Sequence, residues 1–263
     1  MVLFLFLAHL GIGIVFTLAV VSREAGVKFF RFNAGMAAIL IAVAFAFRPP
    51  GAAGTVGTIA LAALVIAEAA VVLYWATVGR MLASVRPAIL RIGIGAGAAA
   101  LAAQAVAVAA GRPITVQALT IASFLTSAAF LGGACTAMVL GHWYLVIPSM
   151  RIDHLQSIVR VHIASMVLRI AVVAAAVFLA IATWQPGLGP SFHHYIFSLD
   201  GIFFWQRVLF GLAGPAVLSY LTWETAKIRS TQSATGILYV DFFTVVVGEV
   251  LAKYILLATR VPV

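Results

Sequence analysis

The chain has 263 residues, of which 64% are hydrophobic and 9% are charged, and its mean hydropathy is +1.16. Soluble domains typically contain about 45–50% apolar and about 25% charged residues, so this composition excludes a water-soluble domain. The apolar runs are continuous, without the alternation over about ten residues that a membrane β-barrel requires. The sequence therefore predicts an all-α transmembrane helix bundle, a single integral-membrane domain over residues 1–263.

The formal net charge of +9 arises in the segments between the apolar runs. Cytoplasmic loops of membrane proteins are enriched in Lys and Arg, so the charge indicates a lipid bilayer as partner and no nucleic acid. The single cysteine, Cys135, lies inside an apolar run, which excludes a disulfide framework. No catalytic motif and no metal-ligand spacing occurs, so no catalytic residue and no metal site is predicted.

A membrane-spanning helix needs about 20 mostly apolar residues, and eight segments meet this requirement. The breaks between them fall at charged residues, proline or glycine. The first run lacks a preceding basic region, so it is predicted as a retained span and not as a signal peptide. The predicted spans are residues 2–22, 30–47, 53–77, 87–110, 115–147, 155–183, 202–226 and 231–257.

Lys and Arg are distributed unevenly between the two sides of this topology. Ten follow odd-numbered spans: Arg23, Lys28, Arg31, Arg80, Arg86, Arg91, Arg151, Arg160, Lys227 and Arg229. The opposite side has Arg48, Arg112, Arg207 and Arg260. The bias predicts that odd-numbered loops are cytoplasmic and that both termini are extracytoplasmic. We expect the bacterial cytoplasmic (inner) membrane as the location.

Charged residues within the spans are candidate functional residues, because charge in lipid costs about 2.5–3.5 kcal/mol per residue on insertion scales. They are Glu68, Arg169, Asp241, Glu249 and Lys253. Glu249 and Lys253 are four residues apart on one helical face, in the order that favours an ion pair. Such a pair either serves a function or only neutralises itself inside the bundle, and both interpretations stay open.

On the predicted outer side, the helical rise places His9, Arg207, Glu249 and Lys253 at similar depth. The long loop of residues 184–201, with His193 and His194, lies above them. Quinol oxidation releases two protons, and histidine titrates near neutrality. These six residues are therefore the candidate quinone-binding and proton-relay site.

Haem b is a competing use of the histidines, because axial ligands on facing spans need matching depth. His142 lies about five residues inside the fifth span and His162 about seven inside the sixth, which permits a pair. The alternative for His142, which precedes Trp143 and Tyr144, is an aromatic belt at the membrane interface.

Small residues predict where helices approach closely. The candidates are Gly93, Gly95 and Gly97 in the fourth span and the Gly132-Gly133 pair in the fifth. These glycines either mediate packing or only reflect composition. Pro215, in the middle of the seventh span, predicts a kink.

The last span reads VVVGEVLAKYILL, an apolar run followed by Gly-Glu, a basic residue four positions after the Glu, and an aromatic beside it. It resembles the terminal helix of the DMSO reductase membrane anchor family, in which Arg is more frequent than Lys at the position of Lys253. Chain length, eight spans and outside termini also resemble that family. The resemblance implies a quinol-oxidising anchor subunit that docks an iron–sulfur subunit and binds no haem.

The leading hypothesis is a membrane anchor of a respiratory oxidoreductase complex, not itself catalytic, that exchanges electrons and protons between quinone and a partner redox subunit. One alternative is a transporter or proton/ion channel with Glu68, Arg169 and Asp241 as a midplane pathway. Paired helix interruptions would favour transport, and only Pro215 qualifies. The other alternative is a structural or assembly subunit without chemistry.

Overall fold

The computed structural model describes residues 1–49, 54–147, 151–184 and 191–263. The first six long helices are α1 (Val2–Leu18), α2 (Gly26–Ala46), α3 (Thr55–Thr77), α4 (Arg86–Val108), α5 (Ile114–Val146) and α6 (Asp153–Ala182). The short helix α7 (Phe192–Ile196) follows. The next long segment consists of α8 (Ile202–Val208), a π-helical turn (Leu209–Ala213) and α9 (Gly214–Lys227), and the last helix is α10 (Thr231–Thr259).

Seven helical segments in the described part of the chain are long and apolar enough to cross a membrane. They are Arg23–Ala46, Thr55–Thr77, Arg86–Val108, Ile114–Val146, Asp153–Ala182, Leu199–Lys227 and Thr231–Thr259. The predicted all-helical integral membrane protein is therefore confirmed at this level. Helix α1 is also apolar but has 17 residues, so the eighth span stays a prediction.

Helix α1 is the central helix of the bundle, buried along most of its length against α2, α4, α5 and α10. It runs parallel to α5, because His9 contacts Ser127 and Thr17 contacts Thr136. The apolar core continues along both helices. Its fully buried side chains include Leu5, Ile12, Ile14, Phe130 and Leu131.

The α1–α5 contact brings two glycines together. A Cβ atom built on Gly132 would lie 2.0 Å from the carbonyl carbon of Gly13, so the two backbones touch. The neighbouring Gly133 faces α6, where such an atom would lie 3.3 Å from the Cα of His162. The predicted close helix approach at Gly132-Gly133 is therefore confirmed.

The glycines of α4 behave differently. A Cβ on Gly95 would meet nothing within 4 Å, so the predicted close packing at this position is wrong. A Cβ on Gly93 would make ordinary contacts, and one on Gly97 would lie 2.8 Å from a side-chain carbon of Ile12. Only Gly97 therefore permits tight packing against another helix, and it packs on a side chain.

Helices α6 and α10 run parallel to each other and antiparallel to α5. His162 of α6 meets Asp241 of α10, and Arg169 meets Glu249 two turns further along both helices. Arg169 also contacts Ser123 of α5. The polar side chains of the bundle interior therefore lie between α1, α5, α6 and α10.

Both chain termini lie at one end of the bundle, here called the terminal end, where Met1, Arg48, Gly54 and Arg260 line one cavity. The opposite end, where α1, α3, α5 and α9 finish, is the basic end, which has the ten Lys and Arg residues assigned above to the cytoplasm. Arg207 is fully buried and adds no charge to the surface of the terminal end. The charge asymmetry between the ends is thus larger than the sequence suggests.

Candidate functional site

The carboxylate of Glu249, on α10, is surrounded by three cations. Its Oε1 lies 2.9 Å from Nε of Arg169 and 2.8 Å from Nη2 of Arg207, and its Oε2 lies 2.8 Å from Nζ of Lys253. All four side chains are at most 3% exposed. We call these four residues the charged cluster. Three positive groups face one carboxylate inside the bundle.

Ser127 of α5 connects the charged cluster to α1. Its hydroxyl donates to Oε2 of Glu249 at 2.5 Å, accepts from Lys253, and lies 3.1 Å from Nδ1 of His9. A hydroxyl has one hydrogen, so with that hydrogen on Glu249 the His9 Nδ1–H is the donor to Ser127. The Nε2 atom of His9 has no hydrogen-bond partner among the described residues, although the ring is fully buried.

Arg169 ties α6 to two further parts of the chain. Its Nη1 donates to Oγ of Ser123 at 2.7 Å, and its Nη2 donates to the main-chain oxygen of Val263 at 3.0 Å. The guanidinium of Arg169 therefore donates hydrogen bonds to Ser123 on α5, Glu249 on α10 and Val263 at the end of the chain. A planar guanidinium with several donors suits such a junction better than lysine would.

The local structure around Arg207 follows from a proline and two glycines. Pro215 has no N–H to donate to the carbonyl of Gly211 four residues earlier. Nη1 of Arg207 donates to that carbonyl at 2.7 Å, next to the π-helical turn that interrupts the helix. A Cβ on Gly248 would lie 2.2 Å from the Cα of Gly211, so the glycines allow the contact that brings Glu249 to Arg207.

The structure brings together four of the six residues predicted for the outer site: His9, Arg207, Glu249 and Lys253. It adds Arg169, which the sequence placed in a separate midplane group. Arg169 lies 13 residues before the end of α6 and Glu249 lies 10 before the end of α10, so helical depth could have grouped them. Ser127 has no charge and was missed for that reason.

His193 and His194 are not part of this group in the described structure. Both are exposed on α7, where the His193 ring lies 5.0 Å from that of Phe197 and the main-chain N–H of His194 donates to Ser191. Residues 185–190 of the predicted covering loop lie outside the described residues. The described structure therefore does not support a direct role for His193 and His194 in the charged cluster.

His142 and His162 do not form the predicted haem pair. His162 packs beside Gly133, nine residues from His142 along α5, which corresponds to about 13 Å of helical rise. His142 is exposed and lies 3.1 Å from the hydroxyl of Tyr239. Axial ligands of one haem must lie at the same depth, so these residues do not fit a haem between them.

His162 instead forms an interhelical pair with Asp241. The distance from His162 Nε2 to Asp241 Oδ2 is 2.7 Å, and both side chains are at most 1% exposed. The imidazole stacks on Phe130 with ring planes 3° apart. The predicted midplane residues therefore have separate surroundings, because Asp241 binds His162 whereas Arg169 binds Glu249. Glu68, on α3, keeps one buried carboxylate oxygen without a described partner.

A cavity of about 660 Å³ lies at the terminal end between α1, α3, α4 and α10. Its mostly apolar walls include Phe4, Leu5, Leu61, Val108 and Leu257. Gln104 also lines it, is 6% exposed, and has no described hydrogen-bond partner for either amide atom. A buried amide without partners is unusual in a folded protein and points to a ligand or water in the cavity.

The cavity lies about one helical turn from His9 and from Lys253 of the charged cluster. Leu5 precedes His9 by four residues on α1, and Leu257 follows Lys253 by four on α10. One turn corresponds to about 5–6 Å along the helix axis. A ligand in the cavity would therefore lie close to buried groups that can bind or release protons.

Comparison of the chain with models of known protein families and with curated protein sequences found no match.

Proposed function

We propose that the protein is a quinone-interacting membrane subunit of a respiratory oxidoreductase complex. The observation that carries the proposal is the cavity beside the buried titratable groups. Its volume of about 660 Å³ falls in the range of about 300–1,000 Å³ that is usual for small-molecule pockets. The apolar walls suit a quinone ring and tail, and the amide of Gln104 would gain a hydrogen-bond partner in a quinone oxygen.

His9, hydrogen-bonded to the charged cluster through Ser127, serves in this proposal as the proton acceptor, and the charged cluster itself is not a direct quinone ligand. Its four side chains are packed and buried, whereas the cavity is one turn away. A proton from a quinol would pass to the unpartnered Nε2 of His9, whose Nδ1–H already donates to Ser127. Ser127 in turn donates to Glu249, so the carboxylate keeps its charge beside the three cations and Ser127 holds the His9 ring with Nε2 able to accept the proton.

The partner in this proposal is an iron–sulfur or other redox subunit, as the resemblance of the last helix to the DMSO reductase anchors implies. The described chain consists almost entirely of helices suited to the membrane, so the centres that exchange electrons with the quinone would belong to that partner. Haem is not part of the proposal, because His142 and His162 lie at different depths.

For the topology we propose eight spans in a bacterial cytoplasmic membrane, with the terminal end and its cavity on the extracytoplasmic side. Two exposed arginines, Arg112 between α4 and α5 and Arg229 between α9 and α10, mark the two ends. In whole cells, an impermeant maleimide should label Arg112→Cys but should label Arg229→Cys only after permeabilisation. The native Cys135 is buried and serves as the background control. Labelling of both positions from the same side would contradict the topology.

Replacing Gln104 with leucine should weaken quinone binding about tenfold, because one net hydrogen bond contributes about 1–1.5 kcal/mol. Leucine keeps most of the side-chain volume and removes both polar atoms of the amide. The measurement is the retention of decylubiquinone by the purified protein in nanodiscs, titrated and quantified by absorbance of the extract. Saturable binding near one molecule per chain is expected for the unaltered protein.

The matched control is Gln117→Leu, the same chemical change at the same end of the bundle. Gln117 lies near the start of α5, outside the cavity, and its amide donates to the main-chain oxygen of Arg112 at 2.9 Å. This control should bind decylubiquinone like the unaltered protein. Equal binding by both variants, or no saturable binding by the unaltered protein, would refute the cavity as the quinone site.

A further inference from the structure

A second cavity opens on the side of the bundle at the basic end, between α2 and α3. It has a volume of about 420 Å³ and is lined by Arg31, Phe32, Gly35, Met36, Ile39, Leu40 and Trp75. Phe32 and Ile39 are 52% and 66% exposed, so this groove faces outward from the bundle. For a helix bundle in a membrane, the surroundings on that side are lipid or another membrane segment.

Gly35 is the reason that the groove has this shape. A Cβ atom at this position would lie 2.8 Å from Nε1 of Trp75, so only glycine lets the indole lie against α2 without a shift. The guanidinium of Arg31 lies over the same indole, 5.6 Å from the ring centroid. The aromatic ring therefore holds a positive charge at the mouth of the groove.

The groove extends from the level of lipid headgroups into the apolar region. Arg31 is five residues from the start of α2, and Trp75 is two residues from the end of α3, so both lie near the basic end. Ile39 lies eight residues deeper than Arg31, which corresponds to about 12 Å of helical rise. A charged mouth above an apolar channel matches a molecule with a polar head and an alkyl chain.

Further positive charge is exposed at the basic end of the bundle, where the mouth of the groove lies. Arg23, Lys28 and Arg80 are exposed at the same end of the bundle. The nearby acidic residue Glu24 lies 2.6 Å from Nε2 of His154 and is thus already paired. Arg31 has no ion pair with a described residue, and its guanidinium therefore keeps its hydrogen-bond donors for another anion.

We propose that this groove binds an anionic phospholipid. The phosphate accepts hydrogen bonds from Arg31, Trp75 lies at the interface between headgroups and acyl chains, and one acyl chain lies along Gly35 and Ile39. Basic pockets between membrane helices on the cytoplasmic side are a known form of recognition for anionic headgroups. The site is separate from the cavity that contains Gln104 and does not depend on the proposed function.

The test is native mass spectrometry of the purified protein in mild detergent, titrated with phosphatidylglycerol or phosphatidylcholine of the same chain length. The unaltered protein should bind one phosphatidylglycerol at least about tenfold more tightly than phosphatidylcholine, as expected from a charge-assisted hydrogen bond. Arg31→Gln should abolish that preference. Ile39→Trp keeps the charge but fills the apolar channel, and it should also weaken phosphatidylglycerol binding.

Arg91→Gln is the matched control. Arg91 is the sixth residue of α4, as Arg31 is of α2, and it lies exposed at the same end of the bundle. This variant should retain the lipid preference. Equal losses in Arg31→Gln and Arg91→Gln would show a general charge effect and overturn the proposal. Displacement of the lipid by millimolar glycerol 3-phosphate would also overturn it, because the site would then recognise the phosphate alone.

Discussion

Replacing Glu249 with glutamine is expected to destabilise the protein by about 3–5 kcal/mol, the usual cost of removing one partner from a buried ionic group. The carboxylate is the counter-charge for Arg169, Arg207 and Lys253, all within 3.3 Å of it and all buried. Glutamine has nearly the same shape but no charge, so three cations would remain in the bundle interior without compensation. The fraction of protein that elutes as a monodisperse species in mild detergent, and its thermal midpoint, should both fall.

Lys253→Met should have a much smaller effect, and it should partly rescue Glu249→Gln. Three cations face one carboxylate, so removal of Lys253 lowers the excess positive charge while Glu249 keeps Arg169 and Arg207. In the double variant the lysine is no longer an unpaired buried cation. Its thermal midpoint should therefore lie above that of Glu249→Gln alone.

These stability comparisons distinguish the observed cluster from an isolated Glu249–Lys253 ion pair. In an isolated pair, either single substitution leaves one uncompensated buried charge, and the two substitutions cost similar amounts. Similar losses for Glu249→Gln and Lys253→Met would therefore contradict the arrangement described here. Glu224→Gln, at an exposed ion pair with Lys227, provides a control that should change stability by less than about 1 kcal/mol.

The sequence predicted the Glu249–Lys253 pair but not the other partners of Glu249. Residues four apart on a helix necessarily share a face, so this contact depends on local geometry alone. Arg169 and Arg207 reach Glu249 from α6 and α8, and which helices are neighbours is decided by packing across the whole bundle. The depth of Glu249 along its helix limits which residues on other helices can reach it, but depth does not show which helices lie next to α10.

Much of the fold could be predicted because each helix that crosses a membrane needs about 20 mostly apolar residues. The predicted fifth span, residues 115–147, corresponds to Ile114–Val146, and the predicted eighth, residues 231–257, to Thr231–Thr259. Apolar length fixes such boundaries to within a few residues. That α1 and α5 are neighbours depends on side-chain packing across the whole bundle and could not be predicted in the same way.

The cavity that contains Gln104 escaped prediction for a different reason. Glu68 and Asp241 can be recognised in the sequence because they are charged residues within apolar spans, whereas Gln104 is an uncharged amide. The signal was nevertheless present, because a glutamine inside an apolar span needs hydrogen-bond partners that lipid cannot supply. The cavity itself lies between the ends of α1, α3, α4 and α10, and its position depends on how these four helices pack in the bundle.

Gly132→Ala is expected to destabilise the bundle by about 1–3 kcal/mol or more, because a methyl group must be inserted between two touching backbones. The new carbon would lie 2.0 Å from the carbonyl carbon and 2.1 Å from the carbonyl oxygen of Gly13. Backbone atoms of a central helix cannot rotate away as a side chain can, so α1 and α5 must separate. The shift would also pull His9 away from Ser127, five residues before Gly132 on α5.

Gly95→Ala provides the matched control, since it makes the same chemical change in the interior of another membrane helix. A Cβ at Gly95 meets nothing within 4 Å, and alanine is a better helix former than glycine by up to about 1 kcal/mol. The thermal midpoint of this variant in mild detergent should therefore be unchanged or slightly raised, whereas that of Gly132→Ala should fall by several degrees. If Gly132→Ala were as stable as Gly95→Ala, the direct contact between α1 and α5 would be wrong. The same packing of α1 on α5 places His9 beside Ser127, so the placement of His9 beside the charged cluster would then lose its basis.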